Sequence, residues 1–202
     1  MNTRQHHELL DRILDHPRLR EAGRKIHCAK GEHIFAQGEV CRDIFCMNSG
    51  LVKLYYNTRE GKEWIKSFIA DRSMLGSRTS QELGLPSPFS AMCLEDTQLV
   101  RFPYALFEAV CFSDLEMAKA VFHFSQWLGL KKELREYQLL CLTAEEAYLE
   151  FLSANPGLNN RLTQIDIARY LGITPIALSR IKSRISQQSD KSAVKPATEG
   201  LS

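Results

Sequence analysis

The sequence predicts an α+β chain with three differently built regions: an antiparallel β-rich N-terminal region, one long central helix, and a C-terminal pair of short helices joined by a tight turn. Three observations carry this. From 26 to 112, short β-like runs alternate with glycine turns. From 113 to about 142 the apolar spacing is helical without interruption. From 163 to 185, helix caps, a glycine and an inward apolar set follow one another at helix-turn-helix spacing. The chain has 202 residues, which suits one large or two small domains. Hydrophobic residues make up 44% and charged residues 25%, which excludes a chain disordered throughout and a collagen-like repeat. Lys+Arg is 26 against 24 for Asp+Glu, so any basic footprint is local.

The first twenty residues read as helical, with Leu9, Leu10, Ile13 and Leu14 on one face. They are charged throughout and show no apolar core of a secretory signal. No apolar run approaches the ~20 residues needed to span a bilayer. The expected compartment is therefore the reducing cytoplasm, with the six cysteines (28, 41, 46, 93, 111 and 141) as free thiols. In the β-rich region, Ile44–Met47 and Leu51–Tyr56 flank Ser49-Gly50, which reads as a hairpin turn. Asn57–Gly61 is a second turn, followed by the strand-like Glu63–Ile69, and Gln98–Phe102 reads as a late strand.

The central segment opens at Ser113, which can cap a helix, with Asp114 and Glu116 in the first turn. Its apolar residues cover more than one face. Either it is a core helix broken at Gly129, or one face packs on the β-region and the other on a partner chain. The expected dimer contacts are Val121, Phe124, Trp127, Leu128 and Leu134. Thr143-Ala144-Glu145-Glu146 is a capping-box signal that starts another helix, ended by Asn155-Pro156-Gly157.

The richest segment is Gln164–Ser183, QIDIARYLGITPIALSRIKS. Thr163 can cap the first helix, and Ile165, Ile167, Ala168 and Leu171 supply an inward face. Gly172 permits the left-handed backbone of a sharp turn, and Ile173 fills the space between the helices. Thr174 caps the second helix, with Pro175 at its first position, where a missing N–H is harmless. Leu178, Ile181 and Ile185 face inward. Ile176, Ala177, Ser179, Arg180, Lys182, Ser183 and Arg184 include the outward set. Residues 161–184 hold five basic groups (Arg161, Arg169, Arg180, Lys182, Arg184) against one acid, Asp166. Such a local footprint suits a major groove. Arg180 is the expected base reader, since a guanidinium bonds guanine O6 and N7 together. Thr163, Arg169, Thr174, Ser179, Lys182, Ser183 and Arg184 complete the candidate interface, with phosphate contacts expected of Thr174, Ser179, Lys182 and Arg184. The polar stretch 187–202 reads as a disordered tail.

In this order and spacing, these features resemble the Crp/Fnr family of bacterial transcription regulators over roughly residues 10–186. Lys30–Glu39 follows the opening G-E-x-[IL]-x-x-x-G turn pattern of a cyclic-nucleotide-binding jelly roll, and Ser49–Leu54 the hairpin that follows it. Thr174-Pro175 and Leu178-Ser179-Arg180-Ile181 match the family's recognition helix. The resemblance implies a jelly-roll sensor domain over 1–112, a dimerisation helix over 113–142 and a DNA-binding domain over 143–186. It implies a cytoplasmic homodimer reading pseudo-palindromic double-stranded DNA, with a small-molecule effector of unknown identity and RNA polymerase as a further candidate partner. No membrane role and no cofactor or metal is implied.

The chain departs from the family's pattern in three places. Cyclic-nucleotide-binding members carry a Gly-Glu pair and a later Arg that pairs with the cyclic phosphate. Here the stretch reads Leu75-Gly76-Ser77-Arg78 and then Phe89-Ser90-Ala91. Ser77 stands for the Glu and Phe89 for the Arg, with Arg78 the nearest alternative cation. An anion without its guanidinium is poorly held, so the pocket is expected to have diverged from cAMP binding. In the recognition helix, Ile176 stands where many members place a Glu, and it can at most touch a thymine methyl. After Ser186 no strand pattern continues into a wing.

Iron–sulfur members carry a tight N-terminal cysteine cluster, whereas here no cysteine precedes Cys28. No P-loop, G-x-S-x-G, H-E-x-x-H or dinucleotide loop appears, so no enzyme is expected. The competing function is a sensory module that binds a small molecule or protein and whose helix-turn-helix contacts no DNA.

Overall fold

The computed structural model describes residues 3–193, with side chains placed from 4 to 187. They form two compact units that divide between Arg135 and Glu136.

The first unit opens with α1 (Thr3–Asp15) and α2 (Pro17–Ala22). Pro17 sits at the first position of α2, so the sequence restarts a helix there rather than continuing one. Eight strands follow: β1 (Arg24–Cys28), β2 (His33–Phe35), β3 (Asp43–Ser49), β4 (Leu51–Asn57), β5 (Glu63–Ala70), β6 (Ser73–Gly76), β7 (Ser90–Cys93) and β8 (Thr97–Pro103). A short α3 (Arg78–Leu83) lies between β6 and β7. The strands make two four-stranded antiparallel sheets, ordered β1-β8-β3-β6 and β2-β7-β4-β5. This is the expected jelly roll.

The turn at Ser49-Gly50 differs from the hairpin the sequence predicts. β3 and β4 belong to opposite sheets, so Gly50 is the corner where the chain crosses between them. Its φ is 121°, and a Cβ there would lie 2.8 Å from Thr97 Cα. Only glycine permits that approach. The turn over 57–61 is a true hairpin, since β4 pairs with β5, and Gly61 N–H donates to the Thr58 carbonyl at 3.0 Å.

Two apolar clusters hold the unit together. One lies between the sheets and includes Phe35, Phe45, Met47, Val52, Leu54, Leu75, Phe89 and Leu99. The other joins the helices to the outside of the β1-β8-β3-β6 sheet. It contains Leu9, Leu10 and Ile13 of α1, Leu19 of α2, and Val100 and Phe102 of β8, together with Cys46 and Met74. The amphipathic face of α1 is thus core. α4 (Tyr104–Ser113) adds Phe107 and Val110, and α5 (Leu115–Cys141) adds Met117 and Phe124.

α4 occupies residues that read as part of the β-region. The cap of α5 is Asp114 rather than Ser113: its carboxylate accepts from Glu116 N–H at 2.9 Å and Met117 N–H at 3.0 Å. Ser113 instead donates to the Val110 carbonyl at 3.1 Å. α5 runs through Gly129 without a break.

The second unit contains α6 (Ala144–Ala154), a 3₁₀ turn over Leu158–Asn160, α7 (Gln164–Leu171) and α8 (Pro175–Ala193). Thr143 and Glu146 form the full capping box of α6. Phe151 of α6 meets Tyr170 of α7 with ring centroids 5.3 Å apart. α8 continues past Ser186 to Ala193, where the sequence reading placed a disordered tail. The rest of that expected tail, 194–202, lies outside the described residues. Among the described residues no strand follows α8.

Candidate nucleic-acid interface and sensor pocket

Thr163 Oγ1 accepts from Asp166 N–H at 3.1 Å and starts α7. Ile167, Ala168 and Leu171 are buried beneath it. Ile165 differs from expectation: it is half exposed, because the first turn of α7 rotates it outward. Gly172 takes φ 76° and ends α7 in the left-handed region. Thr174 Oγ1 then accepts from Ala177 N–H at 3.2 Å and starts α8 on Pro175. Leu178 and Ile181 are buried below α8.

The opposite face of α8 presents Ile176, Ser179, Arg180, Ser183 and Arg184 to solvent. Ile176 is 68% exposed, an apolar group held in water at the start of the helix. Arg180 is exposed, and no ion pair of this side chain occurs among the described residues. Ser183 hydroxyl donates to the Ser179 carbonyl at 3.1 Å, which occupies it within the helix. Arg184 reaches back to Glu145 of α6 at 3.5 Å. Lys182 and Arg169 are half-buried at the flanks. The expected residues therefore share one helix-turn-helix surface, with Arg180 its most available guanidinium.

In the first unit, Leu75, Gly76 and Ser77 close β6 and lead into α3. Ser77 is fully buried, and its hydroxyl accepts from Ser80 Oγ at 3.4 Å. A Cβ at Gly76 would lie 3.2 Å from the Asp43 carbonyl oxygen, the atom that accepts from Gln81 Nε2 at 2.7 Å. Arg78 points away from this place: its side chain is 63% exposed and lies 3.8 Å from Glu82. It is not the substitute cation.

Phe89 is buried, with its ring 5.5 Å from Phe35 and 6.3 Å from Tyr56. Ser90 and Ala91 are buried beside it, and Ser90 Oγ accepts from Gln37 N–H at 2.9 Å. The cassette position that would carry a guanidinium is filled by a packed ring.

Two features escaped the sequence reading. Lys66 of β5 lies with its ammonium 4.9 Å from the Phe89 ring centroid. Burial, and the charges of Lys132 and Lys131 on α5, hold its pKa down at about 8. Spacing along one strand carries no sign of a helix arriving beside it.

The second is the outward face of α5. Phe124 is buried, and Val121, Trp127 and Leu128 are half-buried against the helix–sheet cluster of the same chain. All four therefore pack, wholly or in part, within the chain itself. Leu134 alone of the expected set stays exposed, in a stripe with Leu115, Phe122, Leu130 and Tyr137. Helical spacing identifies both faces of α5 and not which one turns inward.

All six cysteines are free thiols. Burial pushes Cys46 up to about 12 and Cys93 and Cys111 up to about 11, which suppresses the reactive thiolate. Cys46 belongs to the helix–sheet cluster and Cys41 packs on the cluster between the sheets, so the two do not form one site. His6 is packed edge-on against Phe124 at 5.2 Å, and burial together with His7 lowers it to about 4. No group of three or more His, Cys, Asp or Glu assembles among the described residues. No helix among them is long and apolar enough to cross a membrane.

Residues 25–114 match the cyclic nucleotide-binding domain family. The chain is 26% identical to the fumarate and nitrate reduction regulatory protein of Vibrio cholerae, over 85% of this chain and 72% of that protein. It is 27% identical to the nitrogen fixation regulation protein FixK of Azorhizobium caulinodans, over 79% of this chain and 68% of that protein. Its fold is similar to that of FixK2 from Bradyrhizobium japonicum, with a TM-score of 0.71, 20% identity, and coverage of 83% and 86% of the two chains. A CooA mutant from Carboxydothermus hydrogenoformans gives the same TM-score of 0.71 at 18% identity, over 89% of this chain and 84% of that one. With its domain match, these relatives along most of its length and their shared fold, the chain is similar to regulators of the Crp/Fnr family.

Proposed function

We propose that the protein is a sequence-specific DNA-binding transcription regulator that acts as a cytoplasmic homodimer. The outer face of α8 carries this reading: an exposed Arg180 sits one turn after the exposed Ile176, on a helix whose inner face is locked by Leu178 and Ile181. A guanidinium there suits bidentate bonding to guanine, and Ile176 suits a thymine methyl. The relatives reported above are named as regulators, and none as an enzyme. The stripe Leu115, Phe122, Leu130, Leu134 and Tyr137 supports α5 as the dimer seam, since its apolar side chains are left in water in the single chain. Two recognition helices would then enter major grooves ~34 Å apart. The packed Phe89 and the sealed Ser77 support a sensor that does not hold a cyclic phosphate in the family's way.

Selection of DNA from a random pool, with and without cAMP, tests the reading. A two-fold symmetric site recovered without cAMP is the expected result, with affinity falling steeply as salt rises. Arg180→Ala should lose about 1–3 kcal/mol on that site and relax one base position. No site in either condition would overturn the DNA reading in favour of a sensory module.

A further inference from the structure

A cavity of about 340 Å³ opens at the seam of the jelly roll, between β1 and β2. Both are edge strands, so no ladder of backbone bonds closes the two sheets onto each other there. Its volume lies at the small end of the ~300–1,000 Å³ typical of ligand sites. Ile26 and Phe45 line it from one sheet, Ile34 and Phe35 from the other, and Cys41 from the connection between β2 and β3. That connection is a fixed wall. Gly38 N–H donates to the Ser87 carbonyl at 2.9 Å, Ser87 N–H to the Glu39 carbonyl at 2.7 Å, and Tyr104 N–H to the Arg42 carbonyl at 2.9 Å. The Glu39 carboxylate accepts from Ala36 N–H at 2.9 Å, which engages it within the wall. No residue of the Ser77 and Phe89 cassette and none of α5 lines the cavity.

A guanidinium is built into its mouth. β8 alternates between the two apolar clusters: Leu99 belongs to the one between the sheets, Val100 and Phe102 to the one outside. By that alternation Arg101 shares the inner face with Leu99, and it stands opposite Phe45 of β3. Its side chain is half exposed, with Nε 3.6 Å from the Asp43 carboxylate. Among the described residues this guanidinium makes no hydrogen bond and no second ion pair. A guanidinium carries five N–H donors in a planar fork that matches a carboxylate. One contact at 3.6 Å leaves that fork open.

We propose that this cavity binds a small carboxylate with a compact apolar body, its carboxylate on Arg101 and its body against Phe35, Phe45 and Ile26. The charge balance limits the head group. Arg101 and Arg42 are offset by Asp43 and Glu39 along the lining, so the mouth has no surplus charge for a phosphate dianion. A singly charged carboxylate takes the fork that Asp43 holds loosely. The apolar floor selects the body, because a ligand that leaves water for those side chains gains by its buried area.

The test is calorimetry and thermal unfolding of the full chain at fixed ionic strength. The probes are 4-methylpentanoate, leucine, 4-methylpentan-1-ol and acetate. The acid should bind and raise the unfolding temperature. The alcohol lacks the carboxylate and acetate lacks the body, so both should do so far less. Leucine bound as tightly as 4-methylpentanoate assigns the carboxylate to an amino acid, its ammonium on Asp43, and weaker leucine binding assigns it to a simple acid. Arg101→Gln should weaken binding about 10-fold or more, the loss of a charge-assisted contact. Asp43→Asn should tighten it about 2- to 5-fold by removing the competing carboxylate, a gain that misfolding does not produce. Bound ligand should slow maleimide labelling of Cys41 and leave the exposed Cys141 unchanged. Alcohol or acetate binding as tightly as the acid overturns the proposal. So does affinity retained in Arg101→Gln, binding without protection of Cys41, or no binding of either 4-methylpentanoate or leucine. DNA selection that succeeds while neither binds overturns this site and leaves the regulator intact.

Discussion

Lys66→Met is the perturbation whose outcome the structure specifies most closely. In the folded chain Lys66 has a pKa of about 8, against 10.5 in the unfolded chain, with burial the largest cause and the Lys132 and Lys131 charges next. A depressed lysine means the unfolded state binds the proton more tightly. Between 8 and 10.5 the unfolded chain therefore holds more protons, and wild-type stability gains from Lys66 as pH rises through that window. Below about 8 the penalty is present in full. The interval from 10.5 to about 8 corresponds to about 3 kcal/mol at most, and access of the ammonium to water brings this to about 1–2 kcal/mol.

Methionine keeps the unbranched stem over Phe89 and removes the charge. Urea unfolding of both proteins as a function of pH reads the effect as a difference, so that titrations common to the two cancel. The variant should be the more stable at neutral pH by about 1–2 kcal/mol, and its advantage should shrink to nothing as pH approaches 10.5. A variant less stable at neutral pH, or a difference independent of pH, would refute the placement of three like charges around this site.

Phe89→Ala should destabilise the first unit by about 3–5 kcal/mol, because the ring packs on Phe35 between the sheets; a loss below about 1 kcal/mol in urea would mean the pocket collapses around the gap. Gly172→Ala places a Cβ on a backbone held at φ 76°, and should cost about 1–2 kcal/mol and weaken DNA binding with it. Unchanged circular-dichroism melting of that variant would mean the turn relaxes. Leu130→Glu, at a side chain 52% exposed on α5, should leave thermal stability within about 0.5 kcal/mol yet shift sedimentation from dimer to monomer. A retained dimer would place the seam on another face.

Local signals carried the C-terminal half well. Capping at Thr143, Thr163 and Thr174 and the left-handed turn at Gly172 depend on contacts three to five residues apart, and all four appear as read. The edge of that legibility is one helical turn. Ile165 was expected inside by its neighbours' periodicity, yet the direction of the bundle axis leaves it half exposed. At the start of α5 the sequence placed the cap at Ser113 with Asp114 in the first turn, and the end of α4 moved the cap to Asp114 by engaging Ser113 with the Val110 carbonyl.

The sequence by itself determined the order of the parts, the helix-turn-helix, and the absence of Glu and Arg from the cassette at Ser77 and Phe89, because these depend on residue identity and short-range geometry. Tertiary structure alone decided three others. Gly50 is a crossing between sheets, since an apolar run does not say which sheet will accept it. The α5 face bearing Phe124 turns inward and the one bearing Leu130 stays out, since both are apolar and only α1 and β8 choose between them. Lys66 meets the charges of Lys131 and Lys132 across some sixty-five residues of chain, a proximity that exists only after the roll has closed and α5 has packed on it.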